Sequence, residues 1–104
     1  MNKYHAKKIK TPDGTFDSKA EYRRWCELKL LEKAGEITHL TRQPKFPIYL
    51  FKRKPVCTYI ADFRYCRDGR DVVEDVKGVR TAIYRLKAKL LAETHGIEIT
   101  EVAA

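Results

Sequence analysis

The dipeptide Asp68-Gly69 most constrains how this chain can fold. Asp-Gly is favoured where both central residues of a tight turn take positive φ, the turn whose twist matches that of paired strands. It sits between two β-patterned runs. On one side, residues 58–65 (TYIADFRY) alternate, with Tyr59, Ala61, Phe63 and Tyr65 on one face and Thr58, Ile60, Asp62 and Arg64 on the other. On the other side comes VVEDVKG, residues 72–78, a valine-rich run of buried-strand type. The two runs are expected to be antiparallel partners, which brings Asp62 beside the Glu74-Asp75 pair.

The flanking pattern supplies helices and a further strand. From Ser18 to about Ala34 the spacing predicts a helix, with Ser18 as N-cap, Glu21 three residues on and Gly35 as the stop. Glu21, Trp25, Leu28 and Glu32 share one of its faces. A second helix is predicted from Thr81 as N-cap to His95, with His95 capping its C-terminal end and Gly96 stopping it. IEITEV, residues 97–102, then reads as a strand that the helical crossover returns parallel to VVEDVKG. FPIYLF, residues 46–51, is a strand whose Pro47 suggests an edge or a strand start. Residues 1–15 read as a flexible basic arm ending in a turn at Pro12-Asp13-Gly14, and residues 16–104 as one domain. The expected fold class is α/β, a mixed sheet of about four strands flanked by two helices.

Composition narrows the partners. The 104 residues hold 22 Lys and Arg against 14 Asp and Glu, a formal charge of +8, which suits a polyanion; nucleic acid stands ahead of an anionic membrane surface because no basic amphipathic anchor stands out. No apolar run approaches a membrane span, and the basic N-terminus lacks the apolar stretch of a signal peptide, so an intracellular protein without membrane attachment is expected. Cys26, Cys57 and Cys66 form no CxxC pair, which argues against a disulfide framework or a zinc site.

The charges of VVEDVKG need explaining, because a buried carboxylate without a partner costs several kcal/mol or stays protonated. On a strand, Asp75 and Lys77 share a face about 7 Å apart while Glu74 points the other way, towards an expected structural or basic partner. A bulge would exchange Glu74 for Asp75. If the register brings Asp62 to Asp75, the two carboxylates make a hard-oxygen site suited to Mg²⁺ or Mn²⁺. Plainer readings stand beside this one: Asp62 bridging to Arg64 or Arg80 at the surface, Asp75 and Lys77 on a solvated strand face, and Glu21 serving only in a capping box with Ser18.

An acidic residue ending one strand, followed by Asp75-Val76-Lys77 on the next, resembles the PD-(D/E)XK nuclease superfamily. SKAE at residues 18–21 is similar to the helical glutamate of several of its branches. Together SKAE, QPKF, ADFRY, VVEDVKG and YRLKAKLL resemble small phage-encoded endonuclease-like proteins of Holliday-junction-resolvase type, over residues 16–102. Ala61 stands where the superfamily usually has proline.

The resemblance implies a restriction-endonuclease-like core and metal-dependent hydrolysis of DNA phosphodiester bonds. Asp62, Asp75 and the backbone carbonyl of Val76 would be metal ligands, with Glu21 completing the site directly or through water. Lys77 would orient or deprotonate the attacking water, or stabilise charge on the phosphate. Lys19, Gln43 and Lys45 are implied DNA contacts. Arg80, Thr81, Tyr84, Arg85, Lys87 and Lys89, at and after the start of the second helix, are candidates for the DNA backbone, although helical basic residues are most often a solvated face. Size and charge suggest a homodimer acting on branched DNA in phage recombination or replication. The alternative is a non-catalytic DNA-binding or partner-binding module on the same fold.

Overall fold

The computed structural model describes residues 7–49 and 54–104, and the local signals fall largely where the patterning puts them. Strands β1 (Ile9–Thr11) and β2 (Gly14–Phe16) are followed by helix α1 (Lys19–Lys33). Strands β3 (Thr38–Arg42), β4 (Lys45–Ile48), β5 (Cys57–Ile60), β6 (Phe63–Arg67) and β7 (Arg70–Lys77) come next, then helix α2 (Ala82–His95) and strand β8 (Ile99–Ala103). The main sheet is mixed, in the order β3-β6-β7-β8, and the fold is α/β. Asp68 and Gly69 take φ of 52° and 74°, closing the β6-β7 hairpin between the Arg67 and Arg70 pair. The α2 crossover sets β8 parallel to β7, with Glu101 beside Asp75.

The 58–65 run departs from expectation: it is two strands, broken at Ala61-Asp62. The break is matched across the ladder at Gln43-Pro44, where Gln43 has φ 54°. The Gln43 N–H donates to the Asp62 carbonyl at 2.9 Å and the Ala61 N–H to the Pro44 carbonyl at 3.1 Å. The register runs unbroken through this point, from Arg42 opposite Phe63 to Lys45 opposite Ile60. β3-β4 and β5-β6 are therefore one antiparallel ribbon bent sharply in the middle. β3, an edge strand, has no counterpart among the sequence expectations, and the expected 46–51 strand is β4, its last two positions lying outside the described residues.

The bend has a packing consequence. Tyr59 and Ala61 enter a core with Phe46, Ile48, Val73, Tyr84 and Leu91 beneath α2. Phe63 and Tyr65 enter the opposite core, with Leu28 and Ile37 beneath α1. One alternating face thus feeds both layers, because the ribbon crosses from one to the other at Asp62. Burying an aromatic side chain contributes about 2–3 kcal/mol, so the bend is held from both sides. Along β7 the same division applies: Val73 packs under α2, while Val72 and Val76 pack under α1.

The expected N-terminal arm is corrected over residues 9–15. Ile9 pairs with Phe16 and Thr11 with Gly14, a hairpin whose turn is the predicted Pro12-Asp13. Fully buried Phe16 ties it down against Tyr22 and Trp25. The beginning of the arm, residues 1–6, lies outside the described residues. Among the described residues no helix is long and apolar enough to cross a membrane, and the three cysteines are free.

Candidate functional site

Asp62 sits on the bend and is fixed by reciprocal bonds to β7. Its N–H donates to Asp75 Oδ1 at 2.9 Å and to the Glu74 carbonyl at 3.1 Å, and its own Oδ2 accepts the Val76 N–H at 2.7 Å. Asp75 is 1% exposed and its Oδ2 accepts the Tyr59 hydroxyl. Lys77, two residues on, has its Nζ 4.0 Å from Asp75 Oδ2 and 4.3 Å from the centroid of the Tyr84 ring. Tyr84 is itself anchored: its hydroxyl donates to Glu101 Oε2 at 2.9 Å, and Arg80 pairs with Glu101 Oε1 at 2.5 Å. The ammonium of Lys77 is thereby held between a carboxylate and an aromatic face.

Glu21 enters from the first turn of α1. Ser18 Oγ accepts the Glu21 N–H at 3.1 Å, and Glu21 Oε2 accepts the N–H of Asp17 at 3.3 Å. This is a capping arrangement displaced by one residue from the usual return bond to the cap. It engages only one carboxylate oxygen. Oε1 is buried and has no partner. Burial, reinforced by the negative charges of Asp62 and Asp17, pushes the Glu21 carboxyl up to about 7. Burial pushes Asp75 up to about 6, against the opposing pull of Lys77 and the Asp62 N–H. Asp62 is also raised by burial, with the Val76 N–H and Lys77 drawing it back.

The expected convergence of Glu21, Asp62 and Asp75 on one point is not formed. Among the described residues no three carboxylate, imidazole or thiol groups are gathered closely enough to hold a metal ion. The reason is visible in the bonding, since Asp62 Oδ2 and both oxygens of Asp75 are engaged with N–H and O–H donors. The chemistry of the donor set nevertheless suits a hard divalent cation: the available groups are all oxygens, each engaged carboxylate oxygen keeps a second lone pair, and Glu21 Oε1 is unpartnered. The carboxyl groups are raised by burial first, with Lys77 and Arg42 opposing it.

A family described as "Protein of unknown function (DUF1064)" matches residues 1–101. The chain belongs to the DUF1064 family. No curated protein and no solved structure matches it.

In this DUF1064 protein Glu74 faces away from Asp75, as the two-residue strand period requires, and is 1% exposed. It accepts two bonds from Arg24 of α1, at 2.9 and 2.8 Å, and the Tyr65 hydroxyl. The basic partner expected for it is present, and the bulge that would have moved it into the site does not occur: β7 pairs in unbroken register from Arg70 to Glu74. Burial, reinforced by the Glu74 carboxylate, pushes the Tyr65 phenol up to about 12.

The other candidates of this DUF1064 chain divide by location. Lys87 and Thr81 line a groove beside Lys77. The Thr81 hydroxyl also caps α2, accepting the Tyr84 N–H at 3.0 Å. Arg85 and Lys89 are exposed on α2, and Lys19, Gln43 and Lys45 are exposed elsewhere. Tyr84 is 9% exposed, lines the same groove and lies 4.3 Å from the Lys77 ammonium by its ring centroid. Asp62 forms neither expected ion pair: Arg64 binds Asp71 at 2.7 Å and Arg80 binds Glu101. His95 does not cap its own helix; its Nε2 lies 2.6 Å from the Pro47 carbonyl of β4.

Two residues at this DUF1064 site were missed in the sequence. Asp17 adds charge against Glu21 and Asp62. Arg42, stacked 3.6 Å from the Phe16 ring centroid, opposes both effects and binds the Thr15 carbonyl. The signal for Arg42 was its place immediately before QPKF, in the stretch from which Gln43 and Lys45 were chosen.

Proposed function

We propose that this DUF1064 protein is a divalent-metal-dependent DNA endonuclease with a restriction-endonuclease-like core. One observation carries the reading: Asp75 and Lys77 occupy one face of β7, and Asp62 is fixed beside them from the bend of the neighbouring strand by bonds running in both directions. Asp62, Asp75 and the Val76 carbonyl would hold Mg²⁺ or Mn²⁺, with Glu21 Oε1 as a further oxygen. The ion supplies a lowered water pKa and charge neutralisation at the phosphate.

The chain's own residues supply orientation and electrostatics. Lys77, steadied by Asp75 and Tyr84, presents a fixed ammonium to charge developing on a phosphate oxygen. Tyr59 and the Asp62 N–H fix the Asp75 carboxylate in one rotamer, and Glu21 provides a carboxyl that titrates near neutrality. The charge of +8 favours the polyanion. An intracellular homodimer making paired cuts at branched DNA in phage recombination or replication fits these features. In Mg²⁺, purified protein is expected to cut an end-labelled four-way junction in preference to linear duplex of the same sequence; equal cutting would remove the branch preference, and no cutting of either would remove the enzyme.

A second reading rests on the burial of Asp75 with both oxygens engaged. On that reading the acidic cluster is structural and the fold is a non-catalytic DNA-binding or partner-binding module. It predicts junction binding that is insensitive to Mg²⁺ and leaves every strand intact.

A further inference from the structure

A groove of about 300 Å³ opens from the proposed site, with Lys77, Tyr59 and Tyr84 in its lining. One wall is β5, whose only strand partner among the described residues is β4, leaving its other edge free of strand pairing. The other is the first turns of α2, with Thr81, Ile83 and Lys87. Ile60 on β5 is 54% exposed and Ile83 on α2 is 64% exposed. Lys77 and Lys87 are the charged residues of the lining, and no carboxylate is among them.

We propose that this groove receives an unpaired nucleotide of the DNA strand next to the phosphate engaged by Lys77. The inference rests on the nuclease reading for its substrate and deepens it, adding a preference for DNA that carries an unpaired nucleotide. Two exposed branched aliphatic side chains lining one groove offer little to a duplex, whose bases are stacked inwards, but they present an apolar surface to a base that has left the stack. Lys77 and Lys87 in the lining complement the phosphates flanking such a nucleotide, and the hydroxyls of Thr58 and Thr81 with the free backbone edge of β5 offer polar partners to its rim. A fully paired duplex would have to extrude a base to fill the groove, at a cost of a few kcal/mol. A flap or gap offers one already unpaired.

The test uses full-length protein in EDTA, so that no strand is cut, and DNA carrying 2-aminopurine as the first unpaired nucleotide of a flap. Binding is expected to change the 2-aminopurine emission, while the same base inside a complete duplex stays unchanged. Ile83→Glu and Lys87→Glu, both at solvent-facing helical positions, are expected to weaken flap binding about tenfold or more while altering duplex binding less than threefold. Unchanged flap affinity in both variants, or an emission that does not respond to wild-type protein, overturns the proposal. Because the readout needs no hydrolysis, its result is separable from that of the cleavage assay. A responsive fluorophore with no cutting would retain the groove and remove the enzyme, while cutting with a silent fluorophore would do the reverse.

Discussion

The Val76 N–H donates to Asp62 Oδ2 at 2.7 Å, so the carboxylate that ends one strand is held by the backbone of the Asp75-Val76-Lys77 segment on the next. Asp62→Asn retains an acceptor for that N–H but not the charge. It is expected to keep stability within about 1 kcal/mol of wild type and to abolish cleavage. Asp62→Ala loses both, and is expected to unfold earlier in urea by about 1–3 kcal/mol, the cost of an unsatisfied donor. An active Asp62→Asn would remove this residue from the chemistry.

Glu74 and Arg24 tie β7 to α1 on the side away from the site. Breaking a buried pair from one side costs about 3–5 kcal/mol, and partial exposure of Arg24 places Arg24→Ala at the lower end. A double-mutant cycle with Glu74→Gln and Arg24→Met should show a coupling well above that of the exposed Arg64 and Asp71 pair, for which about 0–1 kcal/mol is expected. Chemical denaturation measures both. Equal coupling in the two pairs would mean that Glu74 is less buried in solution than its geometry indicates.

The raised acids make stability depend on pH with a definite sign. Glu21 and Asp75 move from ordinary values near 4.5 and 3.8 to about 7 and 6, so between pH 4 and pH 7 the native state binds more protons than the unfolded chain. Their contribution is full below pH 4 and is lost as pH rises through 6 and 7. In EDTA the Tm is therefore expected to fall from pH 5 to pH 8, by something on the order of 5 °C. A divalent cation held by these carboxylates would reverse this at pH 8, where they are ionised and the cation binds the native state. Identical pH profiles for wild type and Glu21→Gln would rule out Glu21 as a source of the dependence.

Tyr84 is expected to act through Lys77. Tyr84→Phe keeps the ring beneath the ammonium but frees Glu101, whereas Tyr84→Leu keeps the bulk and removes the aromatic face. A cation–π contact of about 0.5–2 kcal/mol corresponds to a rate loss of a few-fold to about thirtyfold for Tyr84→Leu, with a smaller loss for Tyr84→Phe. NMR of the Lys77 Nζ provides a readout independent of turnover: its ring-current shift should disappear in Tyr84→Leu and persist in Tyr84→Phe. Equal spectra for the two variants would dissociate the ring from the lysine.

What was legible in the sequence was whatever a few neighbouring residues decide. Ser18, Thr81, Gly96 and the Asp68-Gly69 turn act within their own segments, and all four lie where local chemistry puts them. The strand period separated Asp75 from Glu74 and anticipated a basic partner for the latter, though not that it would be Arg24, fifty residues away in the chain. The bend at Asp62 was not legible, because it depends on Gln43 and Pro44 across the ladder while Thr58–Arg64 alternates as if straight. The β1-β2 hairpin, with one lysine and one aspartate, was hidden by the basic residues that precede it. Its pairing needs Gly14 at φ 116°, where an added Cβ would also approach the Arg42 guanidinium at 3.3 Å. The spacing of Glu21 from Asp62 and Asp75 depends on hydrogen bonds to Asp17, Val76 and Tyr59, which no pattern in the chain announces.

The central claim, metal-dependent hydrolysis at the Asp62-Asp75-Lys77 cluster, is tested most directly by incubating supercoiled plasmid with purified wild type, Asp75→Ala and Lys77→Ala in Mg²⁺ and in EDTA. The account predicts nicked or linear plasmid for wild type in Mg²⁺ alone, with each substitution lowering the rate at least a hundredfold in folded protein. Intact plasmid with wild type in Mg²⁺ and Mn²⁺, or cutting by both variants at the wild-type rate, would contradict it.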